Sequence, residues 1–211
     1  MKLPLIGHIA VWITLLPAFV GVWQYRSLDR PMKLFVIFCV LGAINVVSEV
    51  VLSRMNVTNF FLSDIYMLLA VPFFGVVYYH SVMASSVRVF LKYCSVLFVL
   101  IGAIQELFFA DHSELNSVLA MITAIFLVIM SIVTFNAFVR STSSDLRREP
   151  IFWILTGTIV YYAGTFAVMG LGRNLMDLSL SLFVVAWYVN WILIIASMLM
   201  YSRGLLCKSQ A

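Results

Sequence analysis

Three carboxylates, Glu49, Asp64 and Glu106, interrupt stretches of chain that are otherwise almost wholly apolar. A carboxylate facing hydrocarbon costs on the order of a few kcal/mol, so each must turn toward other protein groups or reach back to water. Three roles are open to such groups. They can tie helix ends together as an ion-paired cluster, with Arg54 and Arg173 as counter-ions. They can hold a small ligand in a polar pocket. With pKa values raised by desolvation, they can instead pass protons or ions. Asn45, Tyr66, Tyr161, Tyr162, Trp187, Tyr188 and Asn190 are the side chains placed to complete a pocket with Glu49, Asp64, Glu106 and Arg173. Ser48, Gln105, Thr158, Thr165 and Trp191 lie at similar depths. Hydroxyls and amides are also the ordinary glue between membrane helices, at about 0.6 kcal/mol per hydrogen bond, so packing competes with binding at each position.

Other chemistries lack their residues. His8, His80 and His112 fall at different depths and cannot share one metal ion, so no zinc hydrolase is expected. The last apolar stretch contains no lysine for a retinal Schiff base, and no G-x-x-x-x-G-K phosphate loop exists. Ser63 and Asp64 near His112 make at most an accidental grouping. Neither metal nor cofactor is called for, and catalysis is not expected beyond what the carboxylates themselves allow.

The elements that must position these groups are seven apolar stretches, at 3–23, 33–52, 60–80, 88–109, 115–139, 151–171 and 178–202. Each has the roughly 20 residues a spanning helix needs. With 64% hydrophobic and 10% charged residues, the composition lies outside the range of soluble globular domains. Helices are expected because hydrocarbon leaves no water for free backbone groups, and the alternating ten-residue segments of a barrel are absent. The expected fold is an all-α, up-and-down bundle forming one domain over residues 1–211, its short loops joining antiparallel neighbours.

Charge sets the expected orientation. Arg26, Arg30, Lys33, Arg88, Lys92, Arg140, Arg147, Arg148, Arg203 and Lys208, ten of the thirteen Lys and Arg, belong to one set of alternate loops. Lys2, Arg54 and Arg173 lie opposite, so the N-terminus is expected outside and the C-terminus in the cytoplasm. The net charge of +4 is then a topology signal and not a nucleic-acid footprint. The acidic residues mirror this, with Glu49, Asp64, Glu106, Asp111, Glu114 and Asp177 on the outer side. Residues 3–23 read as a retained first helix, being long, without a small-residue cleavage site and followed by Arg26 and Arg30. Pro17 and Pro72 have no counterpart in the last three stretches, so no inverted repeat of the transporter kind is visible. Cys39, Cys94 and Cys207 fall toward the reducing side and read as free thiols; the sequon at Asn56 to Thr58 lies too close to helix ends to count.

Three short segments carry a resemblance: the run at 59–66 (NFFLSDIY), the segment at 149–154 (EPIFWI) followed by Gly157, Tyr161 and Gly164, and the stretch from Trp187 to Trp191 with Asn190. They are similar to uncharacterised seven-helix bacterial membrane proteins and to the membrane sensor regions that precede some histidine kinases. The likeness runs from Leu3 through the seventh stretch and implies a sensory or signal-relaying bundle in the bacterial inner membrane. Only the nine residues 203–211 follow that stretch, so output is expected through cytoplasmic loops or a separate protein. The basic 140–148 segment suits an acidic partner or anionic lipid equally. The expectation is therefore a receptor-like multi-pass protein with an outward-facing pocket for a small ligand, working with a cytoplasmic or membrane partner or a second copy of itself. A small proton-coupled transporter using the same carboxylates and a structural membrane subunit are the alternatives.

Overall fold

Proline breaks the first apolar stretch in two. Pro17 has no N–H, so the helical bond to the carbonyl of Ile13 cannot form. In the computed structural model the chain runs as α1 (Leu5–Ile13) and α2 (Leu15–Gln24), joined at Thr14, whose hydroxyl donates to the Val11 carbonyl at 2.6 Å. A single 3-10 turn then leads to α3 (Arg30–Arg54), which opens on Asp29: its carboxylate accepts from the Met32 N–H at 3.0 Å, with Pro31 in the first turn. There follow α4 (Phe60–Ser81), α5 (Ser85–Phe109), α6 (Ser117–Ser141), a 3-10 turn at Leu146–Arg148, α7 (Pro150–Leu178) and α8 (Leu180–Leu206). The structure describes residues 4–55, 60–109, 117–142 and 145–207. Among these every regular element is helical, and seven spans, with α1 and α2 counted together, are long and apolar enough to cross a membrane.

The helices close a ring. Each packs on its neighbour in sequence, α4 also touches α6, and α1 and α2 return to lie against α8. Direction alternates, as contacts at the helix ends show. At the basic end, Phe35 of α3 meets Tyr201 of α8 edge-on at 5.1 Å, and the Pro150 carbonyl of α7 faces Gly204 of α8. At the other end the Ser63 hydroxyl of α4 donates to Glu49 of α3.

Polarity is inverted relative to a soluble fold. Phe19, Trp23, Leu107 and Phe108 are each more than 70% exposed, while Thr123, Ser131, Thr134, Thr158 and Ser197 are buried. The buried Thr123, Thr134, Thr158 and Ser197 hydroxyls donate to the carbonyl one turn back in their own helix, at 2.6–2.8 Å. Their hydroxyl hydrogens are thereby placed within their own helices. An apolar exterior over so much of each span suits hydrocarbon and would be a large exposed patch in water.

The seam between α7 and α8 is the most extensive, and glycine permits it. A Cβ on Gly164 would lie 2.7 Å from Leu193 Cδ1, and one on Gly157 2.8 Å from Tyr201 Cε1. Close helix approach at small residues is a main source of helix association in membranes. Below the seam, the Trp153 indole N–H donates to the Arg147 carbonyl at 2.8 Å, and the Cys207 thiol points at the same oxygen at 3.9 Å. Burial pushes the Cys207 thiol up from its ordinary value, Arg203 opposing and Glu149 adding, so it stays protonated and weakly nucleophilic at neutral pH.

Gly204 is the least forgiving of these glycines, because its added Cβ would lie 2.9 Å from the Pro150 carbonyl, a backbone atom that cannot rotate away. Gly204→Ala should cost about 1–3 kcal/mol in equilibrium unfolding. Gly170→Ala, which would meet only the flexible Met121 Sδ at 3.3 Å, should be close to neutral in the same titration.

Candidate functional site

One face of α3 carries the site. Phe35, Phe38, Cys39, Gly42, Asn45, Val46 and Glu49 recur at spacings of three and four, so they share a stripe. That stripe looks onto a cavity of about 330 Å³ enclosed with Ser63, Tyr66, Met67 and Phe74 of α4, Tyr161, Tyr162, Thr165 and Met169 of α7, and Met198 and Tyr201 of α8. Ala120 of α6 and Thr14 and Pro17, at the break between α1 and α2, complete the wall. The volume lies within the range of small-molecule sites, roughly 300–1,000 Å³. From Phe35 to Glu49 the lining follows α3 for about 21 Å, at ~1.5 Å per residue.

The polar atoms gather near the Arg54 end of α3. Asn45 donates through Nδ2 to Glu49 Oε1 at 2.7 Å, and the Ser63 hydroxyl donates to the same oxygen. Asn45 and Glu49 are one helical turn apart, so their bond fixes both side chains on the cavity face. Beyond them the wall is aromatic. Phe38 stacks on Tyr66 at 4.9 Å and 15°, while Tyr161 and Tyr162 meet edge-on at 4.7 Å. Gly42 makes room for Tyr66, since a Cβ there would sit 2.6 Å from the phenol oxygen. Toward the basic end the Tyr201 hydroxyl donates to Thr158 Oγ1 at 3.2 Å, and Tyr78 and Ser131 share a hydrogen bond of 2.8 Å.

Of the pocket residues expected from sequence, Glu49, Asn45, Tyr66, Tyr161 and Tyr162 line this cavity together. Asp64, Glu106, Trp187, Tyr188 and Asn190 are not among its lining residues. Asp64 is only 1% exposed and lies one turn from Leu68, which packs where a Cβ on Gly102 of α5 would be; Glu106 lies one turn beyond Gly102. The two carboxylates are thus on the facing sides of α4 and α5, away from the α3 stripe. Trp187, Tyr188 and Trp191 form their own cluster on α8, with ring centroids 5.3–6.1 Å apart. Asn190 is buried in the α7 and α8 seam, its Oδ1 only 3.0 Å from where a Cβ on Gly164 would be. Arg173 and Asp177 belong to the helical backbone of α7, but their side chains lie outside the described residues, as do Lys2, Asp111, His112, Glu114, Lys208 and the sequon at Asn56 to Thr58.

Sequence reasoning missed Phe35, Phe38, Cys39, Gly42, Met67, Phe74 and Tyr201, and gave Ser63 no place in the pocket. A signal was present: the three-and-four spacing on α3 ends on a carboxylate, which marks a stripe pointing inward. Among the described residues the fold and site define a class, an all-helical chain of seven membrane-length spans around a partly open, aromatic-walled cavity. No protein family matches the chain by profile, and comparison with curated proteins and with solved structures gives no match.

The hydrogen bonds to Glu49 make a local test. Asn45→Ala and Ser63→Ala should each lower unfolding stability by about 0.5–1.5 kcal/mol, the net worth of one hydrogen bond, since the other donor still serves the oxygen. Because both donors serve one oxygen, the double variant should depart from the sum of the two in a double-mutant cycle.

Proposed function

We propose that the protein is a receptor-like integral membrane protein that binds a small ligand in the cavity between α3, α4, α7 and α8 and passes the change to a partner. The N-terminus lies outside and the C-terminus in the cytoplasm of a bacterial inner membrane. The observation that carries this reading is the partly open cavity with its one-sided polarity, Glu49, Asn45 and Ser63 at one end and aromatic walls beyond. The polar end faces outward in this orientation, and a ligand reaches it from that side. The basic residues at the ends of α2, α6 and α8 and at the starts of α3 and α7 support the orientation by the positive-inside bias.

The cavity walls come from helices that meet at the basic end. A ligand that favours one spacing of α3 against α8 shifts the packing of the α7 and α8 seam, and with it the Leu146–Arg148 turn held by Trp153. Arg147, Arg148 and Arg203 are exposed there for a cytoplasmic or membrane partner, or a second copy of the chain. Five of the sequence-expected residues, Glu49, Asn45, Tyr66, Tyr161 and Tyr162, form the binding set in this reading.

A screen of small amphiphiles against the purified protein in nanodiscs tests it. A true ligand at 100 times its Kd should stabilise the fold by about 2.7 kcal/mol. Gly42→Leu, which fills the cavity beside Tyr66, should abolish that gain; ligands whose effect survives this change would bind elsewhere and sink the reading. Orientation has its own check. With native thiols removed, an impermeant maleimide added to intact spheroplasts should label Ser53→Cys and spare Ser141→Cys, and the reverse pattern would invert the topology.

A further inference from the structure

We propose that the cavity takes an uncharged small molecule with a carbonyl-type oxygen on a flat apolar body, and that the hydroxyls of Tyr66, Tyr161 and Tyr162 are the donors that recognise this oxygen. The inference rests on the reading of the cavity as a ligand site and deepens it by naming the class of molecule and the atoms that select it.

The tyrosine hydroxyls around the hollow divide into two groups. Tyr78 and Tyr201, toward the basic end, are tied into the fold through Ser131 and Thr158. The hydroxyls of Tyr66, Tyr161 and Tyr162 have no hydrogen-bond partner among the described residues, and all three side chains belong to the cavity wall. A phenol taken out of water ordinarily finds a partner, because an unmade bond is costly there. The three also share a level. Tyr66 brings its oxygen against Gly42, where a Cβ would sit 2.6 Å away. Gly42 lies twelve residues past the start of α3, and Tyr161 and Tyr162 eleven and twelve past the start of α7, both helices setting out from the basic end. At ~1.5 Å per residue, all three levels are about 16–18 Å along their helices. The donors therefore gather midway along the cavity, apart from the polar cluster at its end.

A carbonyl oxygen has two lone pairs, so two of these phenols saturate it and the third bonds a neighbouring phenol oxygen or a second acceptor on the ligand. A hydrocarbon leaves all three O–H groups unmatched. A charged oxygen fails for another reason: no Lys, Arg or His is among the described lining residues, so a carboxylate or phosphate at this depth lacks a counter-ion. The rings select the body. Phe38 stacks on Tyr66 at 4.9 Å and meets Phe74 at 5.1 Å, and Phe74 meets Tyr162 at 6.3 Å. This chain of rings joins the donors into one wall, against which a flat apolar body packs offset or edge-on.

Three compounds with one body separate the oxygen from its surroundings. In 4-phenylbutan-2-one the oxygen is present, in 2-methyl-4-phenylbut-1-ene a methylene of the same shape replaces it, and in 3-phenylpropanoate a charged oxygen replaces the neighbouring methyl. Isothermal titration on the full chain in nanodiscs, with empty discs subtracted, should show the ketone binding roughly tenfold or more tighter than the other two. Its infrared carbonyl stretch should move to lower frequency on binding. The triple variant Tyr66→Phe, Tyr161→Phe and Tyr162→Phe should bring ketone and alkene within about threefold and lessen the infrared shift. Its unfolding stability should be unchanged or higher, since no hydrogen bond of the fold is lost. An alkene that binds as tightly as the ketone, with both blocked by Gly42→Leu, would overturn the ligand class and leave the cavity as the binding site. No saturable binding by any of the three would also overturn the class, while the cavity itself is judged by the broader screen. If the triple variant fails to fold, the wild-type ratio and the infrared shift decide the matter.

Discussion

Hydrocarbon offers no partner to a backbone amide, a hydroxyl or a carboxylate, and the arrangement of this chain follows from that one deficiency. Helices close their own backbone bonds. The buried Thr123, Thr134, Thr158 and Ser197 close their side chains onto the same helices, one turn back. Other polar groups look across the ring and meet there: Glu49 with Ser63, Tyr78 with Ser131, and Tyr201 with the oxygen of Thr158. These interhelical polar contacts are specific, and much of the packing around them rests on aromatic and small side chains.

Aromatic residues carry the middle of the bundle. Phe35 and Phe38 both meet Phe74, and the three reach Tyr66, Tyr78, Tyr162 and Tyr201 through edge-on, tilted or stacked contacts. Rings are rigid and bulky, so where they do not interlock they leave a space of fixed shape. Flexible aliphatic chains would fill the same volume by changing rotamer. The cavity is in this sense a product of the same residues that hold α3, α4, α7 and α8 together.

Span number and helical class were legible in the sequence, because membrane-length apolar runs separated by charged or turn-forming residues have few other solutions. Helix bounds were less so: α3, α7 and α8 extend past the apolar windows, since Arg30, Pro150 and Arg203 sit comfortably in terminal helical turns where no hydrocarbon limits them. Glu49 and Asn45 could be paired from their spacing alone. What spacing could not say is which neighbour each helix faces. Asp64 adjoins Ser63 in sequence, yet a step of one residue turns a side chain by ~100° around a helix. Ser63 thus reaches Glu49 while Asp64 turns to α5, and Glu106 goes with it. Trp187 and Tyr188 looked like pocket residues because their type suits one; both instead pack against Trp191 on their own helix.

The break at Thr14 and Pro17 gives the ring one wall unlike the rest. Along most of the helices, bending means stretching backbone bonds that are already made; Pro72 within α4 marks another interior position that lacks one. Between α1 and α2 the bond from residue 17 to the Ile13 carbonyl is missing from the start, and Thr14 and Pro17 stand in the cavity wall at that very point. The first helix is therefore a stave with a joint in it, set beside the hollow it lines, and the hollow can widen through that joint without sacrificing the helical hydrogen bond that residue 17 never makes.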